Sequence, residues 1–200
     1  MSKKNICVWG DSIVKWHNDD AVGWWVSRLQ KYLDERKLPF SVHRFGVSGT
    51  YTSTLLLRFE KEASQYQPDI VIFAIGTNDL PILLATHNPM VSLQKFKKNI
   101  DSLYQAAYAF TPDIVFVWLP IVDESKTTPI PWAPKSYYMK DVVEYNAVLE
   151  NFCNSRHVPF VPLLDALRTQ DLDDGIHPSP KWHEKIYIAV KDFLIEQKLI

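Results

Sequence analysis

An uninterrupted apolar run, Ile70-Val71-Ile72-Phe73-Ala74-Ile75, constrains this chain more than any other feature. It has no polar alternation, so it reads as a strand buried on both faces. Burial on both faces requires helices on both sides of the sheet, which is the setting of parallel strands. Four further runs fit the same role: Ile6–Trp9, Phe40–Phe45, Ile114–Leu119 and Phe160–Leu164. Segments of helical period separate them. Val22, Trp25, Val26, Leu29 and Leu33 recur at helical spacing, as do Leu55, Leu56 and Phe59. Leu93, Phe96, Ile100, Leu103 and Ala107 form a third stripe, and Tyr145, Val148, Leu149 and Phe152 a fourth. Ser179-Pro180 opens a last helix with a cap residue and a first-position proline, with Ile186, Ala189, Val190 and Phe193 facing inward. The pattern predicts one α/β domain over residues 1–200, a length that suits a single core. Crossovers are expected to be right-handed.

Composition closes several other routes. Apolar residues make up 46% and charged residues 22%, which excludes a disordered chain. The net charge of −1 gives no field to gather nucleic acid, so no nucleic-acid partner is expected. Lys95, Lys97 and Lys98 read as a solvated helix face. The apolar stretch near the N-terminus stops at Gly10-Asp11, too short for a signal peptide or a span. No stable membrane association is expected. Cys7 and Cys153 are the only cysteines, and no spacing suits a metal or a redox pair. A reduced, cytoplasmic setting is the expectation. The one long irregular stretch, Pro120 to Lys140, carries Trp132, Tyr137 and Tyr138. Loops of that length in compact domains are often functional. Here they are expected to wall or cover a site, though the aromatics also fit ordinary packing.

In open α/β sheets, ligands bind beyond the carboxyl ends of the strands. Those ends carry Gly10-Asp11-Ser12, Gly46-Val47-Ser48-Gly49-Thr50, Gly76-Thr77-Asn78-Asp79 and, after strand five, Asp174-Gly175-Ile176-His177-Pro178. Each block alone is an ordinary turn: Gly49 suits positive φ, and Asn78-Asp79 suits a helix cap. Together they supply what acyl transfer needs. Ser12 is a weak nucleophile unless a base takes its proton, and His177 is such a base near neutral pH. Asp174, three residues earlier, accepts the Nδ1 proton and fixes the ring. The amides of Ser12 and Gly49 and the side chain of Asn78 are candidate oxyanion donors. His17 is a rival base with no orienting pattern near it.

The four blocks, in this order from residue 10 to residue 178, resemble those of the SGNH (GDSL-like) hydrolases. The resemblance implies a flavodoxin-like three-layer α/β/α sandwich with a five-stranded parallel sheet of order 2-1-3-4-5. It implies hydrolysis of esters or thioesters with neither metal nor cofactor; a small-molecule acyl ester is the expected substrate, with acyl-thioesters and lysophospholipids left open. It places Gly49 and Asn78 with Ser12 in the oxyanion hole. The sequence lacks the Gly-x-Ser-x-Gly elbow of α/β-hydrolases. It departs from the family pattern at Lys15-Trp16-His17, where small residues are common, and at Trp182 before His183. Asp11, Trp16 and Trp132 are candidate pocket residues. Acetylated sugars are an alternative substrate. An inert binding protein on the same scaffold and a flavodoxin-like nucleotide binder are alternative functions. The last wants a phosphate-cradling glycine loop, which no strand end provides.

Overall fold

In the computed structural model, which describes residues 3–15, 24–118, 121–164 and 168–200, β1 (Lys4–Gly10) lies at the inner part of a five-stranded parallel sheet. β2 (Phe40–Gly46) pairs with one side of it and β3 (Ile70–Ala74) with the other. A two-residue strand, β4 (Ile82–Leu83), stands apart. β5 (Ile114–Val117) extends the sheet from β3, β6 (Lys135–Ser136) pairs antiparallel with β4, and β7 (Phe160–Val161) forms the far edge. The sheet order β2-β1-β3-β5-β7 is the expected 2-1-3-4-5 when only sheet strands are counted.

The period of two along each strand divides the core. Ile6, Val8, Ile72, Ala74, Val115 and Val117 face one side. There α1 (Trp25–Glu35) packs on α6 (Pro180–Glu196). Cys7, Trp9, Val71, Phe73, Phe116 and Trp118 face the other. There α2 (Thr52–Tyr66) meets α3 (Leu93–Tyr108), and α3 meets α5 (Met139–Arg156). α4 (Glu124–Thr127) is a single turn. Trp9 has Phe45 stacked on it at 4.6 Å and donates its indole N–H to Glu62 at 2.8 Å, so its one polar atom is satisfied. Both cysteines are buried, and burial pushes the Cys7 thiol up to about 12, as for a small hydrophobe. Among the described residues, no helix is long and apolar enough to cross a membrane.

Three expectations change. The fifth strand ends at Val161 rather than Leu164, because Pro162 has no N–H to extend the ladder. The described part of the Pro120–Lys140 stretch, residues 121–140, is not irregular throughout: α4 and β6 lie within it, and β6 is held to β4. α6 does start at Pro180 behind Ser179, but the serine side chain makes no capping bond. Val22 and Leu119, assigned to a helix and a strand, and Pro120, the start of the long stretch, lie outside the described residues.

The register sets the functional end of the sheet. Gly10 pairs with Gly46 on one side and Ala74 on the other, so three strands stop at one level. Two of those positions need glycine for space. A Cβ on Gly46 would sit 2.2 Å from the Lys15 nitrogen and 2.5 Å from the Val14 carbonyl carbon. A Cβ on Gly10 would sit 2.3 Å from the Ala74 oxygen. The turn after β1 therefore rests directly on β2. Gly46→Ala is expected to cost about 2–3 kcal/mol through overpacking, or roughly 5–10 °C in Tm. Thermal melting checks this, and a variant melting with wild type refutes the close approach.

Candidate active site

The chain leaves β1 into a tight helical turn. The Asp11 carbonyl accepts from Lys15 N at 2.9 Å and from Val14 N at 3.2 Å, and its carboxylate accepts from Ile13 N at 2.9 Å. Asp11 thus caps the turn whose next residue is Ser12. Its neighbour β2 ends in a second turn, where Val47 N–H reaches the Gly10 carbonyl at 3.2 Å. Gly49 follows with φ +74°, a conformation that favours glycine. The third turn, after β3, places Asn78 beside the first two. α2 is anchored under this rim: the Asp79 carboxylate accepts the Thr52 N–H at 3.0 Å and the Thr52 hydroxyl. A carboxylate at a helix N-terminus also meets the positive end of the helix dipole. Burial pushes Asp79 up to about 7 and the wholly buried Asp11 up to about 6.

The fourth block does not leave β7 directly. A one-turn 3-10 helix over Thr169–Asp171 intervenes, followed by the bridge of Leu172 to Pro178. Within that bridge, Asp174 Oδ1 accepts the backbone N–H groups of Ile176 at 3.0 Å and His177 at 2.8 Å. Asp174 Oδ2 lies 2.7 Å from His177 Nδ1. Partial burial opposes ionisation of Asp174, but the amides and the imidazole hold its carboxyl below the usual range. The other ring nitrogen, His177 Nε2, lies 2.8 Å from Ser12 Oγ. Residues 165 positions apart thus form one chain of hydroxyl, imidazole and carboxylate. Such a chain can draw the proton from an attacking hydroxyl and stabilise the imidazolium that results.

Ser12 and His177 open into a cavity of about 660 Å³ that Gly49, Asn78, Trp132 and Tyr137 also line. Among the described residues, the Ser12 and Gly49 N–H groups bond to no backbone carbonyl. Asn78 spends one amide N–H on Asp11 at 3.2 Å, and its carbonyl accepts the Tyr137 hydroxyl at 3.4 Å. The ring of Trp132 sits 6.5 Å from that of His177 and is 52% exposed.

Asp11 was expected as a pocket residue and is not one. It is completely buried beneath the rim, because its carboxylate is turned inward to the Ile13 amide and Asn78. Trp132 does line the cavity, whereas Trp16 and His17 lie outside the described residues. His183 is buried against Trp24, with ring centroids 4.2 Å apart, and burial lowers it to about 3, which keeps it neutral. Sequence reasoning missed Trp24 and Lys135 in the cavity wall, and the Tyr137 contact with Asn78. None carries a local signal: Trp24 stands just before α1, outside the period of Trp25, Val26, Leu29 and Leu33, and Tyr137 reads as loop packing. Among the described residues, no three His, Cys, Asp or Glu side chains are grouped to hold a metal ion.

A family model described as GDSL-like Lipase/Acylhydrolase matches residues 8–185. No curated protein matches the chain. Solved structures share the fold at low identity. The lipase/acylhydrolase from Enterococcus faecalis is 18% identical, with a TM-score of 0.78, and the match covers 97% of this chain and 96% of that one. Axe2, an acetylxylan esterase from Geobacillus stearothermophilus, is 20% identical with a TM-score of 0.76, over 96% and 94% of the two chains. TesA is 21% identical with a TM-score of 0.72, over 96% and 98%.

Proposed function

Because the chain belongs to the GDSL-like lipase/acylhydrolase family, we propose that it is a serine esterase working through Ser12, His177 and Asp174. The observation that carries this is the 2.8 Å contact between Ser12 Oγ and His177 Nε2, with Asp174 at 2.7 Å behind the ring. Ser12 Oγ attacks the ester carbonyl carbon while His177 Nε2 takes the hydroxyl proton. The carbonyl oxygen becomes an oxyanion and meets the N–H groups of Ser12, Gly49 and the Asn78 side chain. Collapse breaks the bond to the leaving oxygen, which His177 protonates. Water, deprotonated by the same ring, then attacks the acyl-enzyme and releases the acid and Ser12. Each oxyanion donor is worth about 3–4 kcal/mol of barrier. Asp174 stays ionised throughout, holding the tautomer that leaves Nε2 facing Ser12.

The substrate in this reading is a small ester. A cavity of about 660 Å³ with Trp132 at its edge suits a short acyl group and a modest leaving group. The exposed indole beside His177 favours a second, narrower reading: an acetyl group on a sugar whose ring stacks on Trp132. The similarity to an acetylxylan esterase is in keeping with that. A series of p-nitrophenyl esters from acetate to laurate, run beside an acetylated xyloside, tests both. The expected result is kcat/KM highest for acetate and falling with chain length. Equal rates on laurate overturn the small-acyl reading. A Trp132→Ala variant that treats the xyloside like wild type overturns the sugar reading.

A further inference from the structure

Asn78 is useful to an oxyanion only if its amide nitrogen, not its oxygen, faces the reacting carbonyl. The two faces of a carboxamide have nearly the same shape, so packing alone does not choose between them. Two neighbours outside the nucleophile, base and acid make the choice. Asp11 Oδ2 lies 3.2 Å from Asn78 Nδ2, and the Tyr137 hydroxyl lies 3.4 Å from Asn78 Oδ1. An ionised carboxylate only accepts, so the NH₂ group must face Asp11. Rotating the amide by half a turn would set its oxygen against the carboxylate. The tyrosine hydroxyl accepts or donates, and its longer contact makes it the weaker constraint.

Asp11 is itself held fast. It is completely buried, and its other carboxylate oxygen accepts the Ile13 N–H at 2.9 Å. Its backbone carbonyl closes the turn that carries Ser12. One residue therefore ties the position of the nucleophile to the rotation of an oxyanion donor at the end of the neighbouring strand. Tyr137 is 1% exposed, and burial raises its hydroxyl further above its ordinary value, so it stays protonated.

We infer that Asp11, assisted by Tyr137, is a positioning residue that fixes the rotation of the Asn78 amide and keeps its second N–H for the oxyanion. This rests on the serine-esterase reading above. A double-mutant cycle on p-nitrophenyl acetate separates positioning from mere stability. Removing a whole oxyanion donor typically costs about 10²–10³ in kcat, so losing its aim should cost less. Asp11→Asn is expected to lower kcat about 10–30-fold, with KM unchanged within about twofold, because an asparagine there presents N–H to Asn78 and turns it round. In an Asn78→Ala background, the same substitution is expected to change kcat by less than about threefold. Tyr137→Phe, which keeps the buried ring, is the second variant. It should lower kcat about 3–5-fold in wild type and have no effect with Asn78→Ala. Losses that are equal in both backgrounds, or no loss from either variant in wild type, overturn the inference alone. A wild-type protein that hydrolyses no ester and takes up no fluorophosphonate overturns the esterase reading, and the inference falls with it.

Discussion

Ser12→Ala is expected to lower kcat for p-nitrophenyl acetate by about five to six orders of magnitude, the loss typical when a serine hydrolase is deprived of its nucleophile. Reaction with a fluorophosphonate should stop altogether, since no other hydroxyl among the described residues is bonded to His177. The fold should be indifferent. Among the described residues the Ser12 side chain makes one hydrogen bond, to His177 Nε2, and the turn around it is closed by the Asp11 carbonyl and carboxylate instead. Removing a partly exposed hydroxyl of that kind shifts stability by about 0.5 kcal/mol or less, roughly 2 °C in Tm. A faint rate above the uncatalysed reaction is expected to survive, because the Gly49 amide and Asn78 still stabilise an oxyanion formed by direct attack of water. Turnover within tenfold of wild type would remove Ser12 from the mechanism.

His177→Ala is expected to be as severe, at about five to six orders of magnitude in kcat. Its diagnostic feature is non-additivity. Nucleophile and base act in a single step, so the double variant with Ser12→Ala should be no slower than either alone. The local structure tolerates the change, because Asp174 Oδ1 is bonded to the backbone amides of Ile176 and His177, not to the ring. Asp174 Oδ2 loses the imidazole, but its side chain is 35% exposed, so water replaces that partner. The space left beside Ser12 Oγ should also admit free imidazole, and added imidazole is expected to restore part of the lost rate in a concentration-dependent way. Activity equal to wild type, or a double variant much slower than both singles, would assign the base elsewhere.

Much of the architecture was legible in the chain. Ile70–Ala74 is a fully buried strand, and the helical stripes on Leu93, Phe96, Ile100, Leu103 and Ala107 lie where their period put them. These signals are local: each follows from which face of one element must leave water. The ends of elements were less legible. The strand at Phe160 reads as five apolar positions, yet Pro162 stops it after two. The stretch around Pro129, Pro131 and Pro134 reads as a loop, because a two-residue strand has too few residues to show a period. Its partner, Ile82–Leu83, lies some fifty residues away.

The candidate site divides along the same line. The residues that follow the strands were readable by type: Ser12, Gly49, Asn78, Asp174 and His177 are polar or small where the core needs neither. The sequence by itself determined the fold class and the family, because four short blocks in order need only identity and spacing. Tertiary structure alone decided how those blocks meet. The level register of Gly10, Gly46 and Ala74 brings Ser12, Gly49 and Asn78 to one rim, and the bridge of Leu172 to Pro178 presents His177 to Ser12. It also moved Asp11 from the pocket wall to the buried layer beneath, beside Asn78 and Tyr137. Contacts between segments 59 to 165 residues apart leave no periodicity in the chain, since each depends on strand register and loop path rather than on the residues beside it.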